Sequence, residues 1–170
     1  MTAGREFARS SICCGSTQPI QGTMFSLSWA PSHFNWLIAG TDAHAKNYAL
    51  LLGAQGAVRL APFYDLASVL PYRSINLNKA KLAMKIGGEY RLRNIGLRHW
   101  HRLAADVRAD GESLIARIST MAAGFPDLIA TIQREVEAEG LSHPTISTLA
   151  QRIKSRAKLC QARLEMTSVR

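Results

Sequence analysis

Six consecutive positions, Asp42-Ala43-His44-Ala45-Lys46-Asn47, place four polar side chains with metal and proton chemistry between two apolar runs. Asp42 and Asn47 sit five apart in a connecting loop and can turn toward one point, which Asp65 approaches from further along the chain. Two carboxylates and an amide oxygen form a hard oxygen site. Mg²⁺ takes few protein ligands and completes its shell with water and phosphate oxygens, so Asn47 and Asp65 suit a metal held jointly with a nucleotide. Asp42 is then left to accept a hydrogen bond from a substrate hydroxyl, while His44 and Lys46 add hydrogen bonds or positive charge beside a transferring phosphate. That is the division of labour in phosphoryl transfer, where positioning and charge neutralisation do most of the catalysis. The same residue types also serve plain structure, since Asp and Asn favour turns, a histidine can be a satisfied structural group and a lysine can face solvent. A metal-dependent hydrolase would use the same carboxylates, but no second metal-ligand cluster accompanies them in the sequence.

The elements around this loop must position it. Phe34, Leu37 and Ile38 fall on one face of a short helix, with Ser32 as its N-cap and Gly40 as its stop. After Asn47 the run YALLL reads as a buried strand, GAQG as a turn, and residues 57–61 as a returning strand that delivers the chain to Pro62 and Asp65. Polar residues at both mouths of that hairpin can therefore meet. Beyond Pro71 the texture becomes helical. Asn94 caps a helix that turns Ile95, Trp100, Leu103 and Val107 inward, and Leu114, Ile115, Ile118, Met121 and Ala122 form a second as far as Gly124. Leu128, Ile129, Ile132 and Val136 form a third that stops at Gly140, and Pro144 opens a last segment with Ile146, Leu149, Ile153, Ala157 and Cys160 at helical spacing. The expected fold class is α+β, mainly α-helical, with one small β-hairpin carrying the site.

A chain of 170 residues suits one domain with a real core. Its formal charge of +9 favours an anionic partner. Arg152, Lys154, Arg156 and Lys158 read either as a binding stripe or as a solvated helix face. Cys13, Cys14 and Cys160 fit neither a zinc spacing nor a disulfide framework and are expected to be free thiols. No apolar run is long enough to cross a bilayer, and Arg5 and Arg9 have no apolar block behind them, so a cytoplasmic protein without a membrane partner is expected.

FNWLIAGTDAHAKNYALLL followed by RLAPFYDLASVLPY resembles the catalytic core of the HipA family, the serine/threonine kinase toxins of bacterial toxin–antitoxin systems, and weaker similarity extends over residues 34–165. The resemblance implies a protein-kinase-like C-lobe, with ATP and Mg²⁺ as cofactors, a protein hydroxyl as substrate, and a HipB-like helix-turn-helix antitoxin through which DNA is contacted indirectly. It makes Asp42 the catalytic aspartate, Asn47 the loop asparagine that helps hold magnesium, and Asp65 the magnesium aspartate. Leu66 and Ala67 follow Asp65 where ordinary kinases have Phe and Gly, and His44 stands where many kinases have a lysine facing the γ-phosphate. Candidate catalytic residues are thus Asp42, His44 and Lys46, candidate cofactor-binding residues His44, Asn47 and Asp65, and candidate metal ligands Asn47 and Asp65. Residues 1–30 show no glycine-rich loop and no strand lysine, and no lysine precedes Lys46. They read as a poorly ordered or foreign leader before a lobe spanning 31–170, which makes the chain a truncated or frame-shifted copy with little phosphotransfer alone. The alternative from another class is a non-catalytic helical module that binds an antitoxin or nucleic acid.

Overall fold

The computed structural model describes residues 31–165. Residues 31–38 are helical (α1), and a single 3₁₀ turn at Ala45–Asn47 follows the loop after it. Strands β1 (Leu50–Leu52) and β2 (Val58–Leu60) pair antiparallel, with Leu50 opposite Leu60 and Leu52 opposite Val58. A second antiparallel pair, β3 (Lys81–Ile86) and β4 (Glu89–Arg91), precedes helices α2 (Leu97–Asp106), α3 (Gly111–Ala138) and α4 (Pro144–Glu165). The fold is α+β and mainly helical, as expected, with two small sheets of two strands each.

Helix α3 begins because Asp110 accepts the Ser113 N–H at 2.8 Å, an N-cap that fills one of the orphan donors of the first turn. Leu114, Ile118, Ala122 and Phe125 then bury one stripe of it, facing Ala150, Ile153, Ala157, Cys160 and Leu164 on α4. Helix α1 enters this core with Trp36, whose ring meets Trp100 of α2 edge-on at 5.3 Å, and with Phe34, which meets Phe125 at 6.0 Å. Burying each such large apolar side chain stabilises the fold by roughly 2–3 kcal/mol. The loop after α1 is therefore rooted in the most buried part of the molecule.

Several expectations are revised. α1 already includes Ser32, so that residue does not cap it, and the helix closes one residue before Gly40. Ala39 takes the left-handed conformation (φ 55°), with its N–H on Trp36 O at 3.4 Å and the Gly40 N–H on Asn35 O at 2.7 Å, the two bonds of a Schellman closure. Gly40 is there for space: a β-carbon on it would stand 2.5 Å from Asn35 Oδ1. The strand expected to be buried is exposed, Leu52 to 79%, because the hairpin projects from the helical body and makes few contacts with it. Asn94 does not cap α2. It donates to Glu89 Oε2 at 2.8 Å, and Gly96 holds the N-cap position with its N–H on His99 Nδ1. The β3–β4 hairpin lies where helix was expected, and α3 runs unbroken through Gly124 and Pro126. A proline inside a helix costs about 3 kcal/mol, and the burial of Phe125 beside it, together with packing along α4 on both sides, offsets that cost. Cys13 and Cys14 lie outside the described residues, as does the expected leader; Cys160 is a buried free thiol.

Candidate active site

The hairpin does for the site what its spacing suggested. Asn47 closes the 3₁₀ turn at one mouth and Asp65 follows β2 at the other, and Asn47 Nδ2 donates to Asp65 Oδ2 at 2.6 Å across 18 residues of chain. Asn47 is only 3% exposed, so its amide is held rather than free to swing, and its Oδ1 accepts the His44 N–H at 3.1 Å. Asp65 adopts a left-handed backbone (φ 55°), which costs a non-glycine residue about 1 kcal/mol and turns its carboxylate back toward the loop.

Asp42 and His44 form a second pair, with His44 Nε2 3.1 Å from Asp42 Oδ1 and both side chains reaching solvent. The two pairs are joined through His44, whose ring meets Asp42 and whose main-chain N–H meets Asn47. Lys46 enters through its backbone: its carbonyl accepts the Tyr64 hydroxyl at 2.7 Å, and among the described residues its exposed ammonium makes no ion pair. The structure thus brings Asp42, His44, Asn47 and Asp65 onto one edge of the fold, with the Lys46 side chain directed to solvent.

Supporting residues had little signature in the sequence. Tyr64 stands beside Asp65 and locks the loop from the far arm, and Phe63 meets Tyr48 edge-on at 6.3 Å. Asn35 donates to Tyr48 Oη at 2.9 Å and to Pro31 O at 3.1 Å, and burial raises the Tyr48 hydroxyl pKa against the opposing effect of that bond. A tyrosine immediately before Asp65 was the available signal.

The donor set fits a magnesium ion held with phosphates. Asp65 offers a carboxylate and Asn47 an amide oxygen on the far side of the same side chain, and Mg²⁺ takes one or two such ligands with water and phosphate oxygens. Among the described residues no three His, Cys, Asp or Glu side chains cluster as an all-protein metal cage. Among the same residues no helix is long and apolar enough to cross a membrane.

A family model described as the HipA-like C-terminal domain matches residues 21–129, more than half of the chain. The chain belongs to that family. A protein of Sinorhizobium fredii (strain NBRC 101917 / NGR234) named "Putative kinase Y4mE" is 27% identical over 126 residues, which are 74% of this chain and 29% of the relative. The HipA structure from the Shewanella oneidensis MR-1 toxin–antitoxin complex of HipA, HipB and operator DNA is similar over 86% of this chain and 37% of that one, at 21% identity and a TM-score of 0.66. The HipA-like chain therefore spans about a third of the length of these relatives, and shares the fold of the Shewanella structure over 86% of its own.

Proposed function

We propose that this HipA-like chain carries the catalytic loop of a serine/threonine kinase that transfers the γ-phosphoryl group of ATP to a protein hydroxyl with Mg²⁺. The observation that carries the reading is the 2.6 Å contact between Asn47 and Asp65, which brings the two candidate metal ligands together from opposite ends of the hairpin. Bound Mg²⁺ and ATP supply the phosphoryl group and neutralise its developing charge. Asn47, through its amide oxygen, and Asp65, through its carboxylate, would hold the ion. Asp42 orients the attacking hydroxyl and accepts its proton, with His44 Nε2 holding the carboxylate from one side. Lys46, free to swing from an anchored backbone, offers a positive charge to the phosphates or to the protein substrate.

The leucines of β1 are exposed beside this site, at 38% for Leu50 and Leu51 and 79% for Leu52, and suit a surface that the rest of a full-length relative covers. On this reading residues 31–165 by themselves bind nucleotide weakly and turn it over slowly or not at all. The Shewanella structure supports a HipB-like helix-turn-helix antitoxin as partner, with DNA reached through it, and a cytoplasmic setting follows from that role. The reading is tested by Mn²⁺ in the presence of ATP: selective paramagnetic broadening of the Asn47 and Asp65 signals, lost in Asp65→Asn, is expected. Wild-type spectra in which Mn²⁺ leaves those two residues sharp would sink the proposal.

The non-catalytic alternative draws on one observation. Residues 79–105 hold seven lysines and arginines against the single acid Glu89, and the register of β3 and β4 sets Lys81 directly opposite Arg91. Like charges opposed across strands are destabilising, which suits an anionic surface that neutralises them. A steep fall of duplex DNA binding with salt, retained in Asp65→Asn, would favour this module over the kinase.

A further inference from the structure

Both arms of the site meet the last turn of α1, where the carbonyls of Asn35, Trp36, Ile38 and Ala39 all have partners. Asn35 O accepts the Gly40 N–H at 2.7 Å, Ile38 O accepts the Ser68 hydroxyl at 2.6 Å, and Ala39 O accepts the Val69 N–H at 3.3 Å. Trp36 O accepts the Arg156 guanidinium twice, from Nε at 3.0 Å and Nη2 at 2.6 Å. A helix end leaves such carbonyls without partners. Here Ile38 O and Ala39 O are filled by the chain just after Asp65, and Trp36 O, besides the Ala39 N–H, by α4, a helix more than a hundred residues away in sequence.

One turn before Arg156 on α4, Arg152 donates Nη1 to Leu70 O at 2.5 Å. The two guanidinia therefore grip different arms: Arg156 the helix that leads into Asp42 and Asn47, Arg152 the segment that leads away from Asp65. Arg156 is an expensive way to fill space. It is 8% exposed, and among the described residues no carboxylate pairs with it. A buried cation without a counter-ion is less favourable than an apolar residue of similar volume. What an apolar residue lacks is the planar fork that reaches a helix C-terminus, where the dipole is negative. Ser68 completes the junction, since its hydroxyl also accepts the Leu70 N–H at 3.2 Å and so ties the segment gripped by Arg152 to the helix gripped by Arg156. Of the four basic residues read as a stripe, Arg152 and Arg156 bond carbonyls and Lys154 bonds Gln133 Oε1 at 2.9 Å, which leaves Lys158 exposed.

We infer that Arg152 and Arg156 are positioning residues, which together set the spacing of the two arms and thereby hold Asn47 against Asp65. The consequence for metal binding rests on the kinase reading above; the geometric claim does not. The test uses the full chain with Arg152→Met, Arg156→Met and the conservative Arg156→Lys, beside Ile118→Val as a core control on α3. Two quantities are read on folded protein well below its melting temperature: solvent exchange of the Asn47 side-chain amide protons, and the Mn²⁺ dissociation constant with ATP present. Expected are faster Asn47 amide exchange and about twofold to thirtyfold weaker Mn²⁺ binding in each Met variant, the span that coupling through positioning contacts covers. Arg156→Lys should lie between, and Ile118→Val should lower the melting temperature while leaving both quantities unchanged. If a Met variant does not fold, Arg156→Lys decides by the same two quantities. The inference is overturned if folded arginine variants keep wild-type amide exchange, or if Ile118→Val changes it equally. Loss of amide protection with Mn²⁺ binding indifferent to Asp65→Asn would instead uphold the positioning role and reject the kinase reading.

Discussion

Replacing Gly40 with alanine should destabilise the protein, and the cause lies in Asn35. The added β-carbon would stand 2.5 Å from Asn35 Oδ1 and 3.3 Å from its Cγ, so the amide has to move. Asn35 is 3% exposed and its nitrogen serves both Tyr48 Oη and Pro31 O. Losing those two bonds costs about 1 kcal/mol each. The stiffer unfolded chain of an alanine variant offsets about 0.5 kcal/mol of that. The net loss is then about 1.5 kcal/mol, or roughly 3–6 °C in Tm for a chain of this size. Urea titration of wild type and Gly40→Ala measures it. In an Asn35→Ala background the obstruction is gone, and the same glycine replacement should become neutral or stabilising by about 0.5 kcal/mol. A Gly40→Ala protein at least as stable as wild type, or a loss that persists undiminished without the Asn35 side chain, would refute the reasoning.

Gly87→Ala should cost more, about 2–4 kcal/mol by urea titration, because residue 87 has φ 53° and an added β-carbon would fall 2.1 Å from the His99 carbonyl oxygen, which is backbone and cannot step aside. A loss below about 0.5 kcal/mol would show that the β3–β4 turn does not press on α2 as described. Glu89 has its carboxyl held down to about 2 by the Arg91 N–H first and then by the Asn94 amide and the Tyr90 N–H. A carboxyl depressed on folding contributes stability that is full above its unfolded value near 4.5 and is lost as pH falls through about 2. Glu89→Gln should therefore flatten the decline of stability between those two pH values, followed by circular dichroism, and an unchanged acid slope would contradict it.

The chain announced its chemistry locally. Asp42, His44 and Asn47 occupy one loop, and the strand–turn–strand pattern that follows is short enough to return Asp65 to the same place, so their juxtaposition was legible from spacing alone. The amphipathic stripes of α2, α3 and α4 were legible for the same reason: a period of 3.6 residues survives in any context that buries one face. Context decided the rest. YALLL has the composition of a buried strand, yet whether it is covered depends on what lies across from it, and β1 stands out from the helical body. Gly124 and Pro126 are local stop signals that packing against α4 overrides, so one helix replaces two. Arg152 and Arg156 carry no mark that distinguishes them from solvated cations. Their partners, Leu70 O and Trp36 O, lie 82 and 120 residues away, and a backbone carbonyl is invisible to any pattern of side chains. The sequence by itself determined which polar groups meet at this loop and the order in which they arrive; tertiary structure decided what holds them together, because that depends on hydrogen bonds between segments that only the closed core brings together.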